Sequence, residues 1–170
     1  MKKTVLFLLL TAAANCLIAA ELYVDGKFSD FSRNWRISSR KIGSVEMVPV
    51  AGVNFVQLAA ESTPRGKIGI LTAGKGFSAT VGSKFKVSVD VKGGPLEVAL
   101  FEYGNKKYTG STRKECPAAE KTVRQEVVFV VENADTDSVR FAFNVKKGAS
   151  AVISNVKIDM EAVTAGGGNK

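Results

Sequence analysis

The stretch of residues 85–103 constrains the fold most, because it alternates apolar and polar residues in two successive runs. In FKVSVDVK every second side chain from Phe85 to Val91 is apolar, which puts these side chains on one face of a β-strand. LEVALFEY repeats the pattern from Leu96. Gly93-Gly94-Pro95 separates the runs, so we predict a β-hairpin with a short glycine-containing loop. Its opposite face is the best candidate for a binding surface and carries Asp90, Glu97, Phe101 and Tyr103.

Other parts of the chain repeat this pattern of short strands. Turn residues separate seven further strand-like runs, at residues 35–38, 44–48, 53–59, 67–72, 123–132, 139–145 and 151–158. Residues 104–121 lack the alternation and are predicted to form a long irregular loop, a setting in which functional side chains are common. No stretch keeps a helical period. We therefore predict an all-β, antiparallel β-sandwich of the jelly-roll class over residues 21–162, with a disordered tail at 163–170.

The first twenty residues have the pattern of a secretory signal peptide. Lys2 and Lys3 precede an apolar run, and small residues end the segment. The run is too short, and too interrupted by Asn15, to make a good membrane span. We predict cleavage after Ala20, with a cut after Ala14 as the alternative, and a mature protein that is secreted or periplasmic. Removing 20 of the 170 residues leaves 150, the length of one domain.

Composition excludes several classes of function. The chain contains no histidine, which excludes Ser/His and Cys/His catalytic pairs and His-ligated zinc. Cys116 is the one cysteine left after cleavage, so we predict a buried thiol, with a disulfide to a second chain as the alternative. Removing Lys2 and Lys3 lowers the formal net charge from +8 to +6, and the positive charges are spread along the chain. This spread indicates a solvated surface and no nucleic-acid partner, although a basic surface would favour acidic glycans.

Four motifs occur in an order typical of one group of binding modules. DGKFSDFSRNW lies near the mature N-terminus, FVQLAAE follows, GSKFKVSVDVKG carries Phe85 at an aromatic position, and ASAVISNVKIDM closes the domain. In this order they resemble carbohydrate-binding modules of the family 4/9/22 type, whose fold is the galactose-binding-domain-like jelly roll. The resemblance implies a non-catalytic module that binds a polysaccharide or oligosaccharide. It also implies the structural calcium ion that such modules often hold.

The residue types on the polar face fit a sugar site. Such a site needs an aromatic ring for the C–H-rich side of a sugar, and carboxylates, amides or arginine for its hydroxyl groups. Six residues are candidates: Tyr103 as the stacking ring, Asp90, Glu97, Arg124 and Asn144 on the same face, and Tyr108 in the long loop, where it could border the site at the rim of the sandwich. An ordinary solvated sheet face with cross-strand charge pairs is the alternative.

Two further expectations concern metal binding and catalysis. Asp25 and Asp159 are candidate calcium ligands, because an antiparallel jelly roll brings its first and last strands together. No other cofactor is expected. Glycoside hydrolysis needs two carboxylates at a defined separation, and carboxylates on strands are too common to indicate it, so we expect no enzymatic activity. The rival to sugar binding is a structural or adhesive surface module that mediates protein–protein contacts.

Overall fold

The computed structural model describes residues 20–22, 26–38, 43–51, 53–61 and 66–161, in which twelve strands form two antiparallel sheets. Residues 1–19 of the predicted signal peptide, Asp25 and the predicted tail lie outside the described residues. A single helical turn, α1 (Phe31–Asn34), precedes the second strand. Sheet 1 consists of β1 (Ala20–Leu22), β3 (Gly43–Val50), β4 (Val53–Ala60), β7 (Lys84–Gly93), β10 (Ala119–Val130) and β12 (Ser150–Glu161). Sheet 2 consists of β2 (Trp35–Ile37), β5 (Lys67–Thr72), β6 (Phe77–Ser78), β8 (Leu96–Gly104), β9 (Lys107–Cys116) and β11 (Ser138–Lys146).

The strand order is that of a jelly-roll sandwich. Sheet 1 runs β10-β7-β12-β4-β3, with β1 also paired with β12. Sheet 2 runs β2-β5-β11-β8-β9, with β6 also paired with β11. From β9 onward the chain crosses between the sheets at each connection, as two sheets closed over one core require. The predicted all-β fold is therefore confirmed. Among the described residues, no helix is long and apolar enough to cross a membrane.

Aromatic side chains from both sheets meet in the core. The ring of Phe141 in sheet 2 lies 5.4 Å from that of Phe85 and 6.2 Å from that of Phe129, both in sheet 1. At another point of the core, Trp35 contacts Phe143 at 5.8 Å. All five side chains are buried, and each such burial contributes about 1.5–3 kcal/mol to folding. Trp35 is thus a core residue.

The predicted hairpin across Gly93-Gly94-Pro95 is wrong. The strand β7 belongs to sheet 1 and β8 to sheet 2, so the three residues carry the chain from one sheet to the other. The amide of Gly94 instead donates to the carbonyl of Ser150, at 2.6 Å. The alternation itself was read correctly, since Phe85 and Leu96 both point into the core. Two strands that pack on a core from opposite sides show the same alternation as two strands that pair, and the sequence does not distinguish them.

The predicted loop at residues 104–121 is also wrong, because most of it forms β9. This strand pairs with β8 through a two-residue turn, Asn105-Lys106, in which both residues have positive φ, 51° and 65°. Such turns match the twist of paired strands, and asparagine tolerates them. The strand lies at the edge of sheet 2 and is exposed over much of its length, so it lacks the apolar alternation that marks a half-buried strand.

The buried state predicted for Cys116 is confirmed. The side chain lies at the end of β9 opposite Leu96 and is 1% exposed. Burial, followed by the nearby charge of Glu115, raises the pKa of the thiol. The basic neighbours in the sequence therefore do not produce a reactive thiolate.

Candidate functional site

The structure divides the six predicted site residues between the outer faces of the two sheets. Tyr103, Tyr108, Glu97 and Asn144 lie on sheet 2, in β8, β9 and β11. The other two, Asp90 and Arg124, lie in β7 and β10 of sheet 1. The expectation of one shared face is wrong for this second pair, because it depended on the pairing of β7 with β8.

The charged side chains on sheet 1 interact with one another. Arg124 Nη1 donates to Asp90 Oδ1 at 3.0 Å and to the carbonyl of Asn155 at 2.6 Å. Asn155 sits at an irregularity of β12, with φ of 48°, and its Nδ2 donates to Asp90 Oδ2 at 2.7 Å. Close by, Lys86 pairs with Glu126 at 2.9 Å. This part of sheet 1 is therefore a solvated face with cross-strand charge pairs, which was the alternative to a sugar site.

Small residues create a depression in the outer face of sheet 2. Ala99 and Ala142 are opposite each other in β8 and β11, and both are buried although they point away from the core. A Cβ atom on Gly69 would collide with the backbone carbonyl of Phe143 and with the amide side chain of Asn144, so glycine is needed at this position. The depression measures about 300 Å³ and is lined by Ser38, Lys67, Leu71, Phe101, Tyr103, Ala142 and Asn144.

Glu97 anchors a charge cluster at one end of this face. The carboxylate is 5% exposed and binds the ammonium group of Lys67, with Lys146 at 3.6 Å. Asn144 Nδ2 donates to Glu97 Oε1 at 3.3 Å. Burial raises the pKa of Glu97, but the hydrogen bond from Lys67 and the charges of Lys67, Lys146 and Arg113 outweigh it, so the net shift of the pKa is downward. The carboxylate is therefore ionised at neutral pH.

Three aromatic rings group at the other end of the face. Tyr103 and Tyr108 are opposite each other across the β8–β9 hairpin, with ring centroids 6.2 Å apart in an edge-to-face arrangement. The ring of Phe101 lies 6.3 Å from that of Tyr108. Tyr108 is 59% exposed and its hydroxyl donates to Ser111 Oγ at 3.1 Å. Glu97 and Tyr103 are six residues apart in one strand, so the face extends about 20 Å between them.

A second and larger depression adjoins this aromatic group. It measures about 700 Å³ and shares Tyr103 with the first depression. The guanidinium of Arg140 lies over the Tyr103 ring, 5.2 Å from its centroid. Neither Arg140 nor Lys67 was selected from the sequence, because no local pattern indicates which charged side chains border a depression. The lining residues are Gly74, Lys75, Gly76, Ser78, Tyr103, Lys106, Asp137, Ser138 and Arg140.

Two other carboxylates of the described residues have partners within the protein. Glu102 accepts hydrogen bonds from Thr136 Oγ1 at 2.8 Å and from the amide of Asn133 at 3.1 Å. Asp159 pairs with Lys157 at 3.1 Å. Within the described ranges, no three Asp, Glu, Cys or His side chains group as they would around a metal ion. Because Asp25 lies outside those ranges, the calcium site stays a prediction.

The fold is similar to that of solved carbohydrate-binding modules. The family 11 module of a cellulosomal cellulase from Clostridium thermocellum matches with a TM-score of 0.61 and 13% identity, over 84% of this chain and 95% of that one. A family 4 module matches with a TM-score of 0.54 and 13% identity, over 75% and 95% of the two chains. The fold predicted from the four motifs is therefore confirmed.

A third similar structure comes from a much longer protein. The enzymatically active domain of tailspike protein 4 of bacteriophage CBA120 matches with a TM-score of 0.57 and 16% identity, over 79% of this chain. This chain spans 20% of that one. No protein-family model and no curated protein sequence matches the chain.

Proposed function

We propose that this protein binds an oligosaccharide or polysaccharide, without catalysis, on the outer face of sheet 2. The observation that carries the proposal is the grouping of Tyr103 and Tyr108 beside two adjoining depressions. Sugar recognition combines an aromatic surface for C–H groups with polar side chains that fix the hydroxyl groups. Asn144 and Lys67 line the smaller depression and Arg140 lines the larger one, and their side chains carry polar groups of this kind.

Within this site, the two tyrosines have different roles. Arg140 covers one side of the Tyr103 ring, whereas the Tyr108 ring is largely open to solvent. Tyr108 is therefore our choice for the stacking platform, and Tyr103 forms the wall between the two depressions. The face is about 20 Å long, enough for several sugar units.

We propose binding without catalysis because of the ionisation and the hydrogen bonds of the Glu97 carboxylate. A glycosidase needs one carboxyl group that keeps its proton near neutral pH and a second one across the scissile bond. The pKa of Glu97 is shifted downward by Lys67 and Lys146 despite burial, which is the opposite of what a general acid needs. Its Oε1 atom also accepts hydrogen bonds from Lys67 and Asn144. Sugar binding fits this arrangement better than hydrolysis.

We also infer that the mature protein acts outside the cytoplasm. The charged start, apolar run and small residues of the first twenty positions support export. N-terminal sequencing of protein recovered from the exported fraction of the producing cells should begin at Glu21, or at Asn15 for the earlier cut. A recovered N-terminus at Met1 would contradict this part of the proposal.

A second candidate function, contact with another protein, is favoured by an observation on sheet 1. A depression of about 220 Å³ on this sheet has several apolar side chains in its lining, among them Val48, Val50 and Phe55. Val50 is also among the most exposed apolar side chains of the described residues. Exposed apolar surface of this kind often marks a site of protein contact.

A glycan array followed by calorimetry tests these functions against each other. We expect saturable binding to at least one glycan, reduced about tenfold or more by Tyr108→Ala, since aromatic anchors dominate binding energy. Phe55→Ala is the matched control, because it removes an aromatic ring from the outer face of the other sheet. An empty array, together with oligomers on a sizing column that Phe55→Ala disrupts, would favour protein contact. Equal loss of glycan binding in the two variants would contradict the site.

A further inference from the structure

We propose that the Arg140 end of this face binds the anionic group, a carboxylate or a sulfate ester, of an acidic polysaccharide. The inference rests on the carbohydrate binding proposed above and narrows the ligand to one class. Three cationic side chains line the larger depression, those of Lys75, Lys106 and Arg140, against the single carboxylate of Asp137. The depression therefore has a net positive charge beside the ring of Tyr103.

Arg140 is held in place before any ligand arrives. Its Cζ atom lies 5.2 Å from the centroid of the Tyr103 ring, a contact that favours a cation. The backbone at Gly76 also packs against the stem of Arg140, where an added Cβ would lie 3.2 Å from Cγ of Arg140 and 2.5 Å from the carbonyl of Val139. Gly76 has φ of +87°, so only glycine fits this turn without strain.

The guanidinium of Arg140 has unused hydrogen-bonding capacity. Its Nε atom is buried and has no partner among the residues that the structure describes. Other partly buried charges behave differently, since Glu97 binds Lys67 and Asp90 binds Arg124. A buried donor without an acceptor destabilises the protein. Because Arg140 lines the larger depression, a small movement of its side chain toward a ligand acceptor there would satisfy this group.

The hydrogen-bond partners of Asp137 are residues other than Arg140. Its Oδ1 accepts from Ser138 Oγ at 2.8 Å, and its Oδ2 accepts from the amide of Asn105 at 2.7 Å. These two hydrogen bonds lower the pKa of Asp137, and the second one ties its carboxylate to the β8–β9 turn. The same turn presents Lys106 at the rim of the depression.

The chemistry of arginine identifies the ligand class. A planar guanidinium forms paired hydrogen bonds with the two oxygens of a carboxylate or sulfate, and neutral hydroxyl groups offer no such match. Lys75 and Lys106 add attraction that depends on salt concentration. A uronic-acid or sulfated sugar stacked near Tyr108 would place its anionic group toward Arg140, because Tyr103 contacts both side chains.

Calorimetry with matched pairs of polysaccharides tests the proposal. Polygalacturonate is compared with its fully methyl-esterified form, and dextran sulfate with dextran, so that only the anionic group changes within each pair. We expect the charged member of at least one pair to bind about tenfold or more tightly than its neutral partner, and the pair that responds identifies carboxylate or sulfate. Arg140→Gln should remove most of this preference, and Arg140→Lys should restore only part of it.

Lys121→Gln is the control for charge alone, because it removes one positive charge from an exposed position of β10 in the other sheet. If Lys121→Gln weakens polyanion binding as much as Arg140→Gln, attraction by the net charge explains the binding and the proposal is overturned. If neutral glycans bind as well as charged ones, and Tyr108→Ala abolishes both, carbohydrate binding stands while the anionic preference fails. If neither charged nor neutral glycans bind, both proposals fail.

Discussion

The outer faces of the two sheets are built from the same alternating strands, yet they differ in how their polar groups are satisfied. On sheet 1, Asp90, Arg124 and Asn155 bind one another. On sheet 2, the cluster around Glu97 is closed in the same way, but Arg140 at the opposite end has a buried Nε without a partner among the described residues. Aromatic rings and two depressions accompany that unsatisfied group.

This difference shows that residue type is a weak guide to a binding site. Whether each polar group already has a hydrogen-bond partner within the protein is a better guide. Asp90 and Arg124 have side chains suited to sugar hydroxyls, but each is occupied by the other. Arg140 is available because its neighbours offer a ring and a glycine rather than a carboxylate. A candidate site is better recognised by unmet hydrogen bonds than by composition.

The largest effect is expected from the core that both faces share. Phe141→Ala removes the ring that contacts Phe85 and Phe129 of the other sheet, and should lower the free energy of unfolding by about 3–5 kcal/mol. Denaturant unfolding followed by fluorescence and circular dichroism measures the loss. Two separate unfolding transitions would show that the sheets unfold independently. The two outer faces could then not be compared as parts of one cooperative unit.

A smaller effect should distinguish the charge pairs of the two faces. Lys67→Gln leaves the buried Glu97 carboxylate with the more distant Lys146 as its ion-pair partner and with the hydrogen bond from Asn144, and should cost about 1–2 kcal/mol of stability. Lys86→Gln on sheet 1 should change stability little, since both members of its pair with Glu126 are exposed. The double variant Lys67→Gln, Glu97→Gln should recover part of the loss. An equal loss of stability in Lys67→Gln and Lys86→Gln would contradict the conclusion that Glu97 is buried and Glu126 exposed.

The pH dependence of stability should sharpen the same contrast. The folded-state pKa of Glu97 lies below its usual value of 4.5, so its contribution to stability is complete above that value and is lost as the pH falls through the folded pKa. In acid unfolding from pH 6 downward, Glu97→Gln should therefore lose less stability than the wild type. Glu126→Gln, at an exposed position, should follow the wild type more closely. Coincident curves for all three proteins would count against the Glu97 cluster.

The smallest expected effect concerns the rate at which a thiol reagent labels Cys116, on the inner side of sheet 2. Cys116 is buried and the pKa of its thiol is raised, so a thiol reagent should label the native protein slowly and the denatured protein at once. Engineered Ser111→Cys, on the half-buried part of the same strand near Tyr108, provides a comparison and should react faster. Rapid labelling of native Cys116, or a disulfide-linked dimer on a non-reducing gel, would place this residue outside the core.

The fold followed from the sequence wherever a strand has one buried face. The runs from Phe85 and Val139 alternate because every second side chain enters the core, and the structure has strands at both places. The edge strand β9 could not be predicted from the sequence. Its side chains are mostly exposed or half-buried, so apolar residues do not recur at every second position. The pairing of strands could not be predicted either, because alternation shows which face of a sheet each side chain lies on and not which strand is its neighbour.

The candidate site was predictable only in part for the same reason. Tyr103, Glu97 and Asn144 were placed together because their own strands fix the direction of each side chain. Asp90 and Arg124 were added through a pairing that does not occur. Arg140 could not be singled out, since its isolation from carboxylates depends on contacts between distant parts of the chain.

Mapping a bound glycan onto the two faces tests the central claim most directly. The glycan with the strongest array signal is titrated into isotope-labelled protein, and backbone amide shifts are followed by nuclear magnetic resonance. We predict that the shifts concentrate in β8, β9 and β11, around Tyr103, Tyr108 and Arg140, and leave β7 and β10 of sheet 1 unchanged. Saturable shifts centred on Asp90 and Arg124, with sheet 2 unaffected, would contradict the account.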